Sequence, residues 1–174
     1  MSFFRKIFIF FILFTALQNF NAYSEVVNKF EVKGNERISL ETIMIFGDIA
    51  IGKNYEEKDI SLLIKKLYET NFFSNISVDF ADNKLTITVK ENPIVQSLIF
   101  KGEKAQKFKD QLGEMLNVRE KSSFVSNDIT RDVNQIKTFY RALGFYFVKI
   151  DAEIQKLEKN RVNIIYTIDK GEKA

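Results

Sequence analysis

The sequence predicts an α+β protein of two tandem modules, each with the order strand, helix, helix, strand, strand (βααββ). Apolar stripes at helical spacing alternate with hairpins whose apolar residues recur at every second position. The whole order then occurs twice: Gly34 and Gly102 lie 68 residues apart, and Thr88-Val89 and Thr167-Ile168 lie 79 apart. Two amphipathic helices can cover one face of a small sheet, so each repeat is predicted to have its own core.

The first module is predicted from residues 25 to 92. A strand from Val26 to Val32 ends at a Gly34-Asn35 turn, and Ser39 is placed to cap a short helix. The second helix has a single apolar stripe, formed by Ile60, Leu63, Ile64, Leu67 and Tyr68. A hairpin follows, in which apolar residues alternate on both sides of an Asp82-Asn83 turn.

The second module is predicted from residues 93 to 174 and begins at Pro93, the only proline of the chain. A strand from Ile94 to Phe100 precedes a short helix and a longer one. The longer helix has a second apolar stripe, formed by Ile129, Val133, Ile136, Tyr140 and Leu143. The closing hairpin alternates through Val148, Ile150, Ala152 and Ile154. Tyr68 and Tyr140 lie on the two stripes, and we expect both to pack in the cores.

Residues 1–24 are predicted to be a secretory signal peptide. Arg5 and Lys6 precede an apolar run from Ile7 to Leu17, and small residues at Ala22 and Ser24 suit cleavage after Ser24. The alternative is a membrane anchor, but a spanning helix needs about 20 apolar residues and this run is shorter. Cleavage would lower the formal net charge from +3 to +1, because only two charged residues are lost.

The composition excludes several kinds of site. The chain has no Cys and no His, so disulfides, thiolate or imidazole chemistry and His or Cys metal ligands are excluded, and no cofactor is predicted. No basic block stands out, which argues against nucleic acid as a partner. Asp79 with Asp82 could formally be a catalytic carboxylate pair, but solvated acids at a turn are the simpler interpretation, so no enzyme is predicted.

Eight segments of the two modules carry a family resemblance: Phe30–Arg37, Asp59–Ser61, Leu67–Phe73, Thr88–Pro93, Ile99–Gly102, Phe139–Tyr140, Gly144–Tyr146 and Asn160–Val162. Together with the order βααββ in tandem behind a signal peptide, they resemble POTRA (polypeptide-transport-associated) domains, and more closely those of BamA-type outer-membrane protein assembly factors. The resemblance covers residues 25 to 174. The family usually has glycine at the position of Asn71, a mild departure because Asn tolerates a left-handed helix end.

The resemblance implies a role without catalysis. It suggests a three-stranded mixed sheet in each module and a location in the periplasm after signal cleavage, with the full-length family member in the cell outer membrane. The implied partners are unfolded outer-membrane proteins, periplasmic chaperones and accessory lipoproteins of an assembly complex. Full-length family members carry further modules and a C-terminal barrel, through which alone attachment to a membrane is expected. Neither is in this sequence, so we interpret it as a fragment or a truncated reading frame.

The family's strand order places the second strand of each module at a sheet edge, where an extended polypeptide can add as a further strand. The candidate peptide-binding residues are Ile76, Ser77, Val78, Asp79 and Phe80 in the first module and Tyr146, Val148, Ile150 and Ala152 in the second. The alternative is that charged side chains on these strands merely keep edges apart, and both interpretations stay open. Aromatic residues at the helix-to-strand corners could likewise grip a client or fill the cores; they are Phe72, Phe73, Phe145, Tyr146 and Phe147.

Two other binding proteins share such modules. The POTRA region of a two-partner secretion translocator is one alternative, but the proline-rich segment usual before its modules is absent between Ser24 and Val26. A periplasmic scaffold protein held by an inner-membrane anchor is the other, and the two modules and short apolar run argue against it.

Overall fold

The computed structural model describes residues 25–173, so the predicted signal peptide lies outside the described residues. The two predicted βααββ repeats are present, with one additional short strand pair in the first. In chain order, the elements are β1 (Glu25–Val26), β2 (Lys29–Lys33), α1 (Leu40–Gly47), β3 (Asn54–Tyr55), α2 (Glu57–Glu69), β4 (Phe73–Ala81), β5 (Lys84–Glu91), β6 (Ile94–Lys101), α3 (Gln106–Met115), α4 (Ser126–Ala142), β7 (Lys149–Leu157) and β8 (Arg161–Asp169).

Each module contains a three-stranded mixed sheet, as predicted. In the first module the order is β2-β5-β4, with β2 parallel and β4 antiparallel to the central β5. In the second module the order is β6-β8-β7, with β6 parallel and β7 antiparallel to β8. The last strand of each repeat is therefore central, and the first and second strands form the two edges.

The single first strand predicted from Val26 to Val32 is wrong, because the chain breaks its pairing at Val27 and Asn28. β1 pairs with the short β3, and the Val27 N–H donates to the Lys53 carbonyl at 3.1 Å. The Asn28 N–H then donates to the Asn83 carbonyl at 2.9 Å, which starts the pairing of β2 on the main sheet. Val27 is fully buried at this crossing, so packing rather than strand propensity sets the break.

Local sequence signals determine where the first module's helices and turns occur. Ser39 caps α1, since its hydroxyl accepts the Thr42 N–H at 3.2 Å. Asn71 adopts a positive φ of 58° just after α2, a conformation that asparagine tolerates at a helix end. Asp82 and Asn83 both have positive φ, which matches the twist required of a two-residue hairpin turn.

The two sheets and their helices enclose two separate hydrophobic clusters, one in each module. The largest fully buried side chains of the first are Ile43, Leu63, Leu67, Leu85 and Ile87. Those of the second include Leu112, Leu116, Ile136, Tyr140, Ile164 and Tyr166. No helix within residues 25–173 has the length and apolar character needed to span a membrane.

Hydrogen bonds tie the modules together on either side of Pro93. The Asn92 N–H donates to the Phe72 carbonyl at 2.7 Å in the first module. The Ile94 N–H donates to the Asn160 carbonyl at 3.0 Å, and the Asn160 side-chain amide reaches back to the Glu91 carbonyl at 3.2 Å. The junction is therefore bonded to the hairpin turn of the second module and is not a free linker.

Candidate functional site

The free edge of β4 contains all five residues predicted for the first module. Because Asp82-Asn83 is a two-residue turn, Ala81 and Lys84 form the bonded pair next to it, and alternate residues bond to β5 from there. The backbone groups of Ile76, Val78 and Phe80 consequently point away from β5. Their side chains face the core, while Ser77 and Asp79 are exposed on the other face.

The β4 edge is partly closed by a tyrosine hydroxyl. The Ile76 N–H donates to the Tyr68 hydroxyl at 3.1 Å, which confirms that this amide points outward. Tyr68 is 40% exposed, so the expectation that it packs in the core is wrong, whereas Tyr140 is fully buried as expected. Among the described residues, the outward groups of Val78 and Phe80 and the Ile76 carbonyl remain for a partner strand.

The edge strand of the second module begins later than predicted, at Lys149. Tyr146 and Val148 therefore lie before β7 and not in it. The cause is the end of α4: Gly144 has a φ of 92°, and the chain turns through Tyr146 and Phe147 before the Val148 N–H meets the Phe145 carbonyl at 3.4 Å. Val148 is buried and Tyr146 is exposed. Because both residues precede β7, neither contributes its backbone to the strand edge.

Ile150 and Ala152 do lie in β7, and they belong to its open side. The Asn160 carbonyl accepts a hydrogen bond from Ile94 at the start of β6, so the backbone of Asn160 points toward β6. Successive residues of a strand point their backbone groups to opposite sides, so Arg161 and every second residue of β8 after it bond to β7. The residues of β7 between these bonded pairs point their backbone groups outward; they are Ile150, Ala152, Ile154 and Lys156. Within residues 25–173 no further backbone or side-chain group bonds to them, so the edge is open over most of its nine residues.

The apolar face of β7 is covered only at its beginning. Ile150 is 6% exposed, as the alternating pattern predicts, but Ala152 is exposed and Ile154 is 42% exposed. The alternating apolar residues of β7 are therefore buried only as far as Ile150, because the strand extends past the part of the sheet that its helices cover. An open backbone edge and an uncovered apolar face thus occur on one segment.

The opposite edge of the same sheet is closed by the chain itself. The Val95 N–H donates to the Ser122 carbonyl at 2.9 Å, and the Val95 carbonyl accepts the Lys121 N–H at 2.7 Å. Further along β6, the Glu120 carboxylate accepts the Leu98 N–H at 3.0 Å. An edge-capping loop of this kind is the ordinary protection of an exposed strand, and β7 has no counterpart among the described residues.

Sequence reasoning missed the two side chains that cap edges, Tyr68 and Glu120. Tyr68 lies on the border of the helical stripe, and its exposure depends on where the helix crosses the sheet. Glu120 lies in a loop between helices, where a carboxylate has no periodic signal. Of the corner aromatics, Phe73 is buried in the core, whereas Tyr146 and Phe147 are 59% and 78% exposed.

Comparisons with known proteins agree with this architecture. A family model described as POTRA, surface antigen variable number repeat, matches residues 93–171. The N-terminal domain of Omp85 from the cyanobacterium Thermosynechococcus elongatus has a TM-score of 0.58 at 13% identity, covering 86% of this chain and 64% of that one. POTRA1-2 of Omp85 from Anabaena has a TM-score of 0.51 at 13% identity, covering 88% of this chain and 100% of that one. The chain therefore has the fold of two tandem POTRA-like modules, and the second of them matches the family model.

The sequence is also similar to a protein whose role is indicated by its name. The outer membrane protein assembly factor BamA of Neisseria meningitidis serogroup B is 30% identical over 151 residues, which are 85% of this chain and 19% of that protein. The pair of modules is thus similar to the corresponding part of BamA, in agreement with the resemblance of its motifs. The chain spans about a fifth to a quarter of the length of the curated relatives it matches.

Proposed function

We propose that residues 25–92 and 93–174 are two periplasmic modules without enzymatic activity, which bind polypeptides for an outer-membrane β-barrel assembly factor. The bound segments are extended parts of outer-membrane proteins that have not yet folded. Periplasmic chaperones and accessory lipoproteins are the further partners proposed, and a location at the periplasmic face of the outer membrane is proposed with them. This role is the one that the resemblance to POTRA domains implies, and it is proposed for both modules.

Binding is proposed to occur by strand addition at the edges, with β7 as the principal acceptor. The single observation that supports this is the unprotected edge of β7, at which outward backbone groups and uncovered apolar side chains coincide. Main-chain hydrogen bonds to an added strand do not depend on its side chains, so one edge can receive many clients. The β4 edge is proposed as a secondary acceptor, limited to its Val78–Phe80 part by the Tyr68 hydroxyl.

The test is to remove one outward N–H from β7 without disturbing its pairing to β8. Ala152→Pro does this, because Ala152 is exposed and its N–H points away from β8. Ala152→Thr is the matched control, since threonine keeps the N–H and suits a strand. We expect Ala152→Pro to weaken binding of a labelled extended peptide of about ten residues by about fivefold, the worth of about one hydrogen bond, with Ala152→Thr unchanged.

Circular dichroism and thermal unfolding must show that both variants are folded. Equal peptide affinity in Ala152→Pro and Ala152→Thr, measured by fluorescence anisotropy, would contradict strand addition at β7. If Val78→Pro weakened peptide binding and Ala152→Pro did not, the strand that accepts the peptide would be β4 and not β7.

A further inference from the structure

A groove lies between the open end of β7 and the first module. Its volume is about 490 Å³, and residues of both modules line it. Ile154 and Leu157 come from β7 and Val162 from β8, while Pro93 and Phe124 complete an apolar floor. Since the side chains of Ala152 and Ile154 lie on the helix side of the sheet, an added strand would place its own side chains of that face beside this floor.

The polar rim of the groove carries one sign of charge. Lys90 reaches it from the first module, and Lys156 and Arg161 reach it from the second. The Arg161 Nε bonds the Glu158 carbonyl at 3.2 Å, and within the described part of the chain none of the three cations forms an ion pair.

Among the described residues, Glu91 is the one acid that lines the groove, and its carboxylate already accepts hydrogen bonds within the first module. Its Oε1 accepts the N–H groups of Glu36, Arg37 and Ile38 at 2.8 to 3.0 Å, all in the first module. Glu91 is 6% exposed, so it does not neutralise the rim. Three cations around an apolar floor therefore remain for a partner.

We infer that this inter-module groove is a specificity site for an extended polypeptide segment that alternates apolar and acidic residues. The inference rests on the proposed strand addition at β7 and adds a preference to it. The backbone of the segment pairs with β7. Its apolar side chains lie on the face of Ile154 and Val162, and its carboxylates lie on the opposite face with Arg161, while Lys90 and Lys156 line the same rim. Because the first module supplies Lys90 and Asn92, the site is complete only when both modules are present.

The experiment compares two labelled peptides of about ten residues that share alternating valines and differ only in having glutamate or lysine at the other positions. At low salt we expect the glutamate peptide to bind the chain about fivefold more tightly, since exposed ion pairs contribute up to about 1 kcal/mol. In the double variant Lys156→Glu, Arg161→Glu the order of the two affinities should reverse. The matched control is Lys107→Glu, Lys109→Glu on α3, which should leave the order unchanged.

The outcomes separate the inference from the function on which it rests. If Ala152→Pro weakens both peptides but their ratio is one in wild type and in the double variant, strand addition stands and the groove preference is wrong. If Ala152→Pro leaves both unchanged while the ratio still reverses, strand addition at β7 is wrong. Binding of the wild type to vesicles of anionic lipid, lost in the double variant without any peptide preference, would assign the cations to a membrane surface and overturn the inference.

Discussion

The Lys170 ammonium group lies 2.7 Å from Oε2 of Glu103, a carboxylate that is almost fully buried in the second module. The Ala105 N–H and the Tyr140 hydroxyl also donate to Glu103. At the position of Lys170 in the repeat, the first module has Glu91, which accepts three N–H groups of the loop after its own first strand. In each module a carboxylate thus links the loop after the first strand to the end of the central strand. In the second module the acid, Glu103, lies in the loop, whereas in the first module the acid, Glu91, lies at the end of the central strand.

The Glu103 network makes the stability of the second module depend on pH. Burial raises the pKa of the Glu103 carboxyl, but bonds from Lys170, Tyr140 and the Ala105 N–H lower it more, from 4.5 to about 2. The unfolded state therefore binds more protons between these values. The network should be fully stabilising above pH 4.5, by about 3 kcal/mol, and this contribution should disappear as the pH falls to about 2.

Urea unfolding between pH 2 and 7 checks this dependence. Glu103→Gln should be less stable than wild type at pH 7, and the difference should shrink toward pH 2. Glu153→Gln, an exposed change of the same kind, should follow the wild-type curve. A constant difference between Glu103→Gln and wild type at every pH would show that the carboxylate charge contributes nothing.

Gly102 is required by the backbone at the end of β6. Its φ is +87°, and an added Cβ would collide with the Ile168 carbonyl oxygen. Gly102→Ala should lower the free energy of unfolding by at least about 2 kcal/mol, from the left-handed conformation and the collision together. The control is Gly113→Ala in α3, where a Cβ meets no atom within 4 Å and helix propensity should raise stability. Equal effects of the two substitutions in thermal unfolding would contradict this account.

Asp132 connects three parts of the second module. It is fully buried, and its carboxylate accepts the N–H groups of Asn117 and Val118 and the Tyr166 hydroxyl at 2.7 to 3.0 Å. Asp132→Ala leaves these donors unpaired and should cost about 3 kcal/mol or more. Asp132→Asn retains one acceptor oxygen and should lose less. Equilibrium unfolding of both variants measures the difference in unfolding free energy. A loss of stability below about 1 kcal/mol in Asp132→Ala would contradict the role of Asp132 in connecting these parts.

The arrangement of elements was predictable because it depends on periodicity, which is written along the chain. Both hairpins and both long helices follow from apolar spacing and from turn residues such as Asp82-Asn83, whereas the mixed sheets were an expectation from the family resemblance. The start of β7 was misplaced because the run from Phe145 to Val148 is apolar throughout, so alternation could not separate a turn from a strand. The exposure of Ala152 and Ile154 could not be predicted either, since it depends on how far the helices reach over the sheet.

Tyr68 gives a specific prediction for the β4 edge. Tyr68→Phe removes the hydroxyl that accepts the Ile76 N–H and should lower stability by about 1 kcal/mol. The Ile76 amide should then exchange with solvent faster, because its partner is gone. Tyr146→Phe, which changes an exposed tyrosine, is the control and should leave this amide unaltered. Hydrogen exchange followed by NMR measures the Ile76 amide in both variants. An unchanged exchange rate in Tyr68→Phe would exclude the hydrogen bond between the Ile76 N–H and the Tyr68 hydroxyl.

The central claim is that a guest strand pairs with β7, and amide exchange along β7 tests it most directly. On adding an extended peptide, the outward N–H groups of Ala152, Ile154 and Lys156 should become protected. Those of Asp151 and Glu153 already bond to β8 and should change little. Uniform protection along the strand, or protection confined to the helices, would contradict pairing at this edge.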